Sequence, residues 1–336
     1  MSTSAHIAPT PEQERILIIR LGALGDMILS TGCFKAIREH HPHAHITLMT
    51  APIFAKLMQD CPYVDTIKVD TKPLFTKPYH IKAWLKTLAI LRQPYTHVYD
   101  LQTSKRSAWY LRMLRSPKPM RSGIIEGCSH RHRTPERTSL HTLDRQRQQL
   151  NIAGIDTVYP PDISWMSSDI SRLQLPARYA VLATGGSAHR PEKRWTIEGF
   201  TALSIWLNEQ GITPVFVGTG AEADVITAIT QGLGSTPCIN LCNQTSFNDI
   251  AELGRHAAFA IGNDTGPMHI IAATGTRSLV LFSHASNPAL CAPRGSHIHI
   301  LRRETLEKLL ADDVIQTLID GDILDSHTNA AYSNAK

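Results

Sequence analysis

The chain has 336 residues, 42% of them hydrophobic and 19% charged, with a formal net charge of +5. This composition excludes a mainly disordered chain, and the length exceeds an ordinary single core, so two domains of roughly 150 residues are expected. An apolar run of about 18 residues, as a spanning helix needs, is absent, and the start MSTSAHIAPTPEQE has neither the basic opening nor the apolar core of a secretory signal, which points to a cytoplasmic protein with no transmembrane segment.

Residues 1–14 read as a loose polar tail. The apolar run Ile16 to Ile19 then meets Gly22-Ala23-Leu24-Gly25-Asp26, and a helical pattern follows at once: strand, tight turn, helix. Gly22 and Gly25 permit a sharp bend and close approach by a ligand or a second helix. Asp26 is either a first-turn acid favoured by the helix dipole or a carboxylate presented at the carboxyl end of a parallel strand, where open α/β sheets bind ligands. A strand at 45–50, a short helix at 53–59, a strand at 63–69, a helix around 84–91 and a strand at 97–101 come next. Their alternation predicts a parallel sheet with right-handed crossovers.

A basic helix is expected over 104–115, an aperiodic exposed loop over 117–135 and a helix over 139–153. Eleven Lys or Arg stand between residues 102 and 150 against three acids, Glu126, Glu136 and Asp144. That surface suits a phosphorylated substrate or an anionic membrane face, or is simply solvated; nucleic acid is not expected, because no binding motif accompanies it. Prolines 160 and 161 mark an extended connection. The domain boundary is expected between 160 and 178, with a first domain over 15–165, a second over 175–320 and a polar tail over 322–336.

The second half restarts the same order. A strand at 178–184 opens into Gly185-Gly186-Ser187, a helix runs over 196–210, and the strand 213–217 ends in Gly218-Thr219-Gly220 before a helix begun by Glu222. Further strands are expected at 238–241, 258–262 and 277–282, with helices at 247–255, 268–273 and 305–320.

Two stretches carry candidate chemistry. In Gly262-Asn263-Asp264-Thr265-Gly266-Pro267-Met268-His269, Asp264 and Thr265 suit a helix cap and Pro267 a first helical turn, while N–H groups opening at that turn suit a phosphate. His269 is either a satisfied core or surface residue or part of such a site. In Gly185 to Trp195, the glycines allow close approach and Lys193 or Arg190 can neutralise a departing diphosphate, although lysines are also common on any surface. Glu222 is placed either to accept hydrogen bonds from a ribose or to serve as a first-turn acid. P-loop, dinucleotide-fingerprint, HExxH and GxSxG patterns are absent, and the six scattered cysteines have neither zinc nor disulfide spacing, so no metal centre is expected.

Taken together, ILIIRLGALGDMILSTGCFKAIR at 16–38, VYDLQTSKRS at 98–107, GGSAHRPEKRW at 185–195, FVGTGAE at 216–222 and FAIGNDTGPMHIIAATGT at 259–276 resemble the heptosyltransferases of lipopolysaccharide core synthesis, glycosyltransferase family 9. The resemblance implies a GT-B-type α/β architecture, two Rossmann-like doubly wound parallel-sheet domains facing a central cleft, the first for the acceptor and the second for the nucleotide-sugar donor. It implies a metal-independent inverting transfer of a sugar, first of all heptose from ADP-heptose, to a lipopolysaccharide-core or related lipid-linked glycan, with no cofactor. Asp26 matches the family's proposed general base and Lys193 its phosphate-contacting lysine. Asp264, Thr265, Gly266 and His269 match its donor-site turn, and Glu222 its acid near the ribose. The glycine turns are Gly22, Gly25, Gly185 and Gly186. Lys105, Arg106 and Arg121 become candidates for the acceptor's anionic groups, with peripheral contact at the cytoplasmic face of the inner membrane. The chain departs from the family where relatives carry Phe-Gly-Pro-Thr and it has Phe282-Ser283-His284-Ala285-Ser286. The alternatives are a nucleotide-sugar epimerase of similar architecture and an inactive nucleotide-sugar-binding scaffold.

Overall fold

A computed structural model of the protein describes residues 14–73, 77–186 and 189–324. The expected tails lie outside these residues except for residue 14 and residues 322–324, and so do Ser187 and Ala188 of the second glycine turn. By contacts the chain divides into two compact units, the first holding the described residues of Met1–Leu21, Phe34–Thr134 and Arg147–Val158, the second Gly22–Cys33, Pro135–Gln146 and those from Tyr159 onward. Gly22–Cys33 and Pro135–Gln146 are thus early in sequence yet grouped with the second unit.

From the amino end the elements are β1 (Arg15–Ile19), α1 (Leu24–Leu29), α2 (Thr31–His40), β2 (His45–Thr50), α3 (Pro52–Ala55), β3 (Thr66–Val69), α4 (Ile81–Leu91), β4 (His97–Asp100), α5 (Lys105–Met113), β5 (Met120–Gly123), β6 (His130–Arg131) and α6 (Thr142–Ile152). The first sheet has the order β3-β2-β1-β4-β5-β6, parallel throughout. Ile16 to Ile19 are fully buried, as a strand at the centre of a parallel sheet must be, since both faces are covered. Leu17, Ile19, Trp84, Val98, Tyr110 and Leu111 belong to one core cluster of this unit.

Two findings differ from the sequence reading here. The stretch 117–135, read as a loop, carries β5 and β6, whose polar sequences MRSG and HR show no apolar period and are fixed by pairing with β4 and with each other. The residue range 63–69 forms a strand only over its last four residues.

Next come β7 (Tyr179–Ala183), α7 (Ile197–Glu209), β8 (Thr213–Val217), α8 (Ala223–Leu233), β9 (Ile239–Asn240), α9 (Phe247–His256), β10 (Phe259–Asn263), α10 (Gly266–Ala273), β11 (Ser278–Phe282), α11 (Pro288–Cys291), β12 (Ile298–Arg302) and α12 (Ala311–Asp320). Their sheet runs β12-β11-β10-β7-β8-β9, again parallel. Strand β12 escapes the sequence reading because its IHILR is half-exposed, and the last helix starts at Ala311 rather than residue 305. Both sheets are doubly wound: the first three strands build outward one way and the next three the other, so each has a switch point between its first and fourth strands.

Candidate active site

In the second unit the switch point lies between β7 and β10, paired with Gly262 opposite Ala183. Asn263, the fully buried last residue of β10, ties the two turns together there. Its Nδ2 donates to the carbonyls of Thr184 (2.8 Å) and Gly185 (3.1 Å), and its Oδ1 accepts the Trp195 N–H at 3.0 Å. The segment bearing Lys193 is thereby anchored at both ends. Lys193 Nζ reaches the Asp264 carboxylate at 2.5 Å, and the pair is largely buried. Ser286 Oγ donates to the same Asp264 oxygen at 2.6 Å. Asp264 therefore orients Lys193, and an ammonium has two more N–H donors to offer.

After Asp264, Thr265 is extended (φ −145°) and caps α10 without a side-chain bond, and Pro267 sits in the first turn. The positive end of the helix dipole and Lys193 are thus brought to one place, suited to a phosphate. Glu222 opens α8 after β8 but folds back, its Oε2 accepting the N–H (2.8 Å) and hydroxyl (2.7 Å) of Thr219. It also lies against Gly185, where an added Cβ would stand 3.1 Å from Glu222 Cγ. Gly186 accepts a hydrogen bond from Arg194 at 3.1 Å.

Helix α1 packs on α10. At Gly266 a Cβ would stand 2.6 Å from Leu24 Cδ2, and at Gly25 one would stand 2.6 Å from the His269 ring. Two glycines therefore let the helices approach this closely. Gly22, with φ at 110°, supplies the turn that enters α1. Asp26 is half-buried in the first turn, and its Oδ2 accepts the Ala23 N–H at 3.3 Å, so the capping role expected of a first-turn acid is present.

His269 is 6% exposed, and its Nδ1 has no hydrogen-bond partner among the described residues. Burial pushes its imidazole down to about 4; the carboxylates of Asp264 and Asp26 oppose that shift, and His141 and Lys193 add to it. The ring is therefore neutral at physiological pH and stands within electrostatic reach of both acids and of Lys193.

Sequence reasoning missed three supporting residues. Asn263 was visible inside its motif but not its clamp. Ser286 comes from the turn after β11, which had no sequence signal for a site. His141, buried, bonds the Ala292 carbonyl through Nε2 at 2.9 Å while its Nδ1 accepts the Leu143 N–H, and it had no sequence signal.

In the first unit Lys105 is exposed at the start of α5. Arg106 donates to the Pro73 carbonyl (3.0 Å) and the Tyr110 hydroxyl (3.1 Å), and Tyr110 in turn donates to buried Asp70 at 2.7 Å. Arg121 donates to the carbonyls of Gly127 and Leu111. Both arginines thus hold the fold of their own unit. At the switch point there, Asp100 ends β4, fully buried, with Oδ1 accepting the N–H groups of Gln102 (3.1 Å) and Thr103 (2.9 Å). Burial pushes its carboxyl up to about 6 against those hydrogen bonds.

The profile of glycosyltransferase family 9 (heptosyltransferase) matches residues 84–312. The chain belongs to that family. Among relatives of the family 9 enzyme, lipopolysaccharide heptosyltransferase 3 of Escherichia coli K12 is 24% identical over 281 residues, covering 77% of this chain and 79% of that one. The solved family 9 glycosyltransferase of Veillonella parvula superposes with a TM-score of 0.77 at 19% identity, over 92% and 97% of the two chains. An E. coli heptosyltransferase determined with ADP gives 0.70 at 18% identity, over 91% and 99%. These likenesses agree with the two Rossmann-like domains of a GT-B glycosyltransferase. The profile match takes in Lys193, Glu222 and the Asp264–His269 turn and does not reach Asp26, whose position is known from α1 alone.

Proposed function

We propose that this glycosyltransferase moves heptose from ADP-heptose to a lipopolysaccharide-core or related lipid-linked glycan, inverting the anomeric centre in a single displacement. The observation that carries the proposal is the seating of α1 on the first turns of α10, which places the Asp26 carboxylate and the Lys193–Asp264 pair around the same imidazole. Asp26 takes the proton of the acceptor hydroxyl as its oxygen attacks the anomeric carbon from the face opposite the diphosphate. The bond from that carbon to the diphosphate oxygen breaks, and ADP leaves with the electron pair. Lys193 and the start of α10 stabilise the charge that builds there, which makes the transfer metal-independent.

Thr265 and Gly266 line the diphosphate, Glu222 faces the ribose, and neutral His269 spaces α1 from α10 without adding a charge. The basic stretch around Lys105 draws the acceptor's carboxylates and phosphates and the anionic cytoplasmic leaflet, so the enzyme works in the cytoplasm in peripheral contact with the inner membrane. The lipopolysaccharide heptosyltransferase relatives support heptose as the sugar and a lipopolysaccharide acceptor.

A donor and acceptor panel read by mass spectrometry in the presence of a chelator is the test. Acceptor-dependent release of ADP with a mass gain of one heptose on the glycan is expected. A free, isomerised nucleotide sugar formed without acceptor would replace this reading with epimerisation, and release that stops with chelator while circular dichroism shows the fold retained would remove its metal independence.

A further inference from the structure

The amino ends of the first sheet hold a cluster that the transfer reaction does not use. Glu14 immediately precedes β1, His97 opens the neighbouring β4 in register with Ile16, and His41 follows the last turn of α2. Glu14 Oε2 lies 2.9 Å from His41 Nδ1, and Oε1 lies 3.1 Å from His97 Nδ1. The three ligand atoms all fall within 4.8 Å of one another. We propose that Glu14, His41 and His97 bind one divalent transition-metal ion, of which zinc is the natural probe.

The spacing fits such an ion. Metal–ligand bonds of about 2.1 Å at tetrahedral angles set ligand atoms roughly 3.4 Å apart, close to the separations already present. Two imidazoles and a carboxylate suit zinc and its first-row neighbours, not magnesium or calcium, which prefer oxygen alone. His41 is also held as a ligand should be: its Nε2 is 2.7 Å from the Tyr99 hydroxyl. With Nε2–H donating to that oxygen, the Nδ1 lone pair is left on the Glu14 side, the arrangement that outer partners of metal-bound histidines impose. The exposed His40 ring meets His41 edge-on at 4.6 Å between centroids but is not one of the grouped ligands, so water is the fourth ligand.

Ligand binding in doubly wound sheets occurs at the carboxyl ends of the strands, and this cluster is at the opposite ends of β1 and β4. Its ion would be structural, fastening the chain before β1 to β4 and α2. The sequence reading expected no metal centre because these residues are scattered along the chain, and only the parallel pairing of β1 with β4 assembles them.

The test is calorimetric titration of the chelator-stripped full-length chain with Zn2+, with thermal midpoints followed in parallel. Expected is one ion per chain at a Kd on the order of 1 µM or tighter, with a raised midpoint. Glu14→Gln and His97→Gln change partly exposed side chains and should each weaken binding by at least about 10-fold and abolish the midpoint shift. His43→Gln, an exposed histidine outside the cluster, should leave both unchanged. Binding weaker than about 100 µM, or tight binding that both variants retain, overturns the proposal.

Discussion

Replacing Gly25 by Ala probes the helix contact on which the site depends. The new Cβ would stand 2.6 Å from Cδ2 and Nε2 of His269 and 2.9 Å from its Cε1, roughly an ångström inside ordinary van der Waals contact. His269 has little room to yield, because it is 6% exposed and the neighbouring Gly266 is itself pressed against Leu24. Relief then requires α1 and α10 to move apart or the ring to leave its rotamer. Overpacking of this kind costs about 1–3 kcal/mol, and alanine's helix preference over glycine returns somewhat less than about 1 kcal/mol in a first turn. A net loss of about 1–2 kcal/mol is expected, together with a fall in kcat of about 10- to 100-fold as Asp26 is displaced. The decisive assay is a double-mutant cycle in thermal or urea unfolding with His269→Ala. Once the ring is gone, Gly25→Ala should become neutral or stabilising, giving a coupling of about 1–3 kcal/mol. Equal stability losses in the two backgrounds would show that the ring does not set the helix spacing.

Two further substitutions test separate parts of the molecule. Asp100 has its folded-state affinity for a proton raised by burial, from an ordinary 3.8 to about 6. The native state therefore holds more protons than the unfolded chain within that window, and wild-type stability falls as pH rises through it, by at most about 3 kcal/mol. Asp100→Asn keeps an acceptor for Gln102 and Thr103 and loses the titration, so its midpoint should rise relative to wild type between about pH 4 and pH 6 and level off by about pH 7; a constant difference refutes the buried-charge assignment. Lys193→Ala should cut kcat/KM for the donor about 10- to 100-fold while leaving acceptor KM near wild type. An unchanged donor parameter would detach Lys193 from the diphosphate.

Much of the fold is legible in the sequence because β1, β7, β10 and β11 are apolar runs buried on both faces and end in recognisable turns. Strands β5, β6 and β12 are not, because short polar or half-exposed segments take their conformation from the neighbours they pair with. Within the site, the Asp264 to His269 turn is readable from its glycine, proline and acid. The role of His269 is not, since it depends on a contact with Gly25 from the other end of the chain. Asp264 likewise reads as a cap or a turn holder, whereas its bonds to Lys193 and Ser286 need three strands' turns to meet. Ser286 shows that the segment after β11 supplies a side chain to that meeting point. Cys238 and Cys242 are half-buried free thiols, and Cys242 donates to the Thr219 carbonyl.

The role of Asp26 is tested most directly by acceptor-dependent ADP release from ADP-heptose, comparing wild type with Asp26→Asn. The substitution keeps an oxygen for the Ala23 N–H, so α1 should remain in place while the proton acceptor is lost. A kcat lowered roughly 100-fold or more, with donor KM little changed, is the expected result for a general base. A transfer rate within about threefold of wild type would contradict it, because a base that supplies so little cannot be what removes the acceptor's proton.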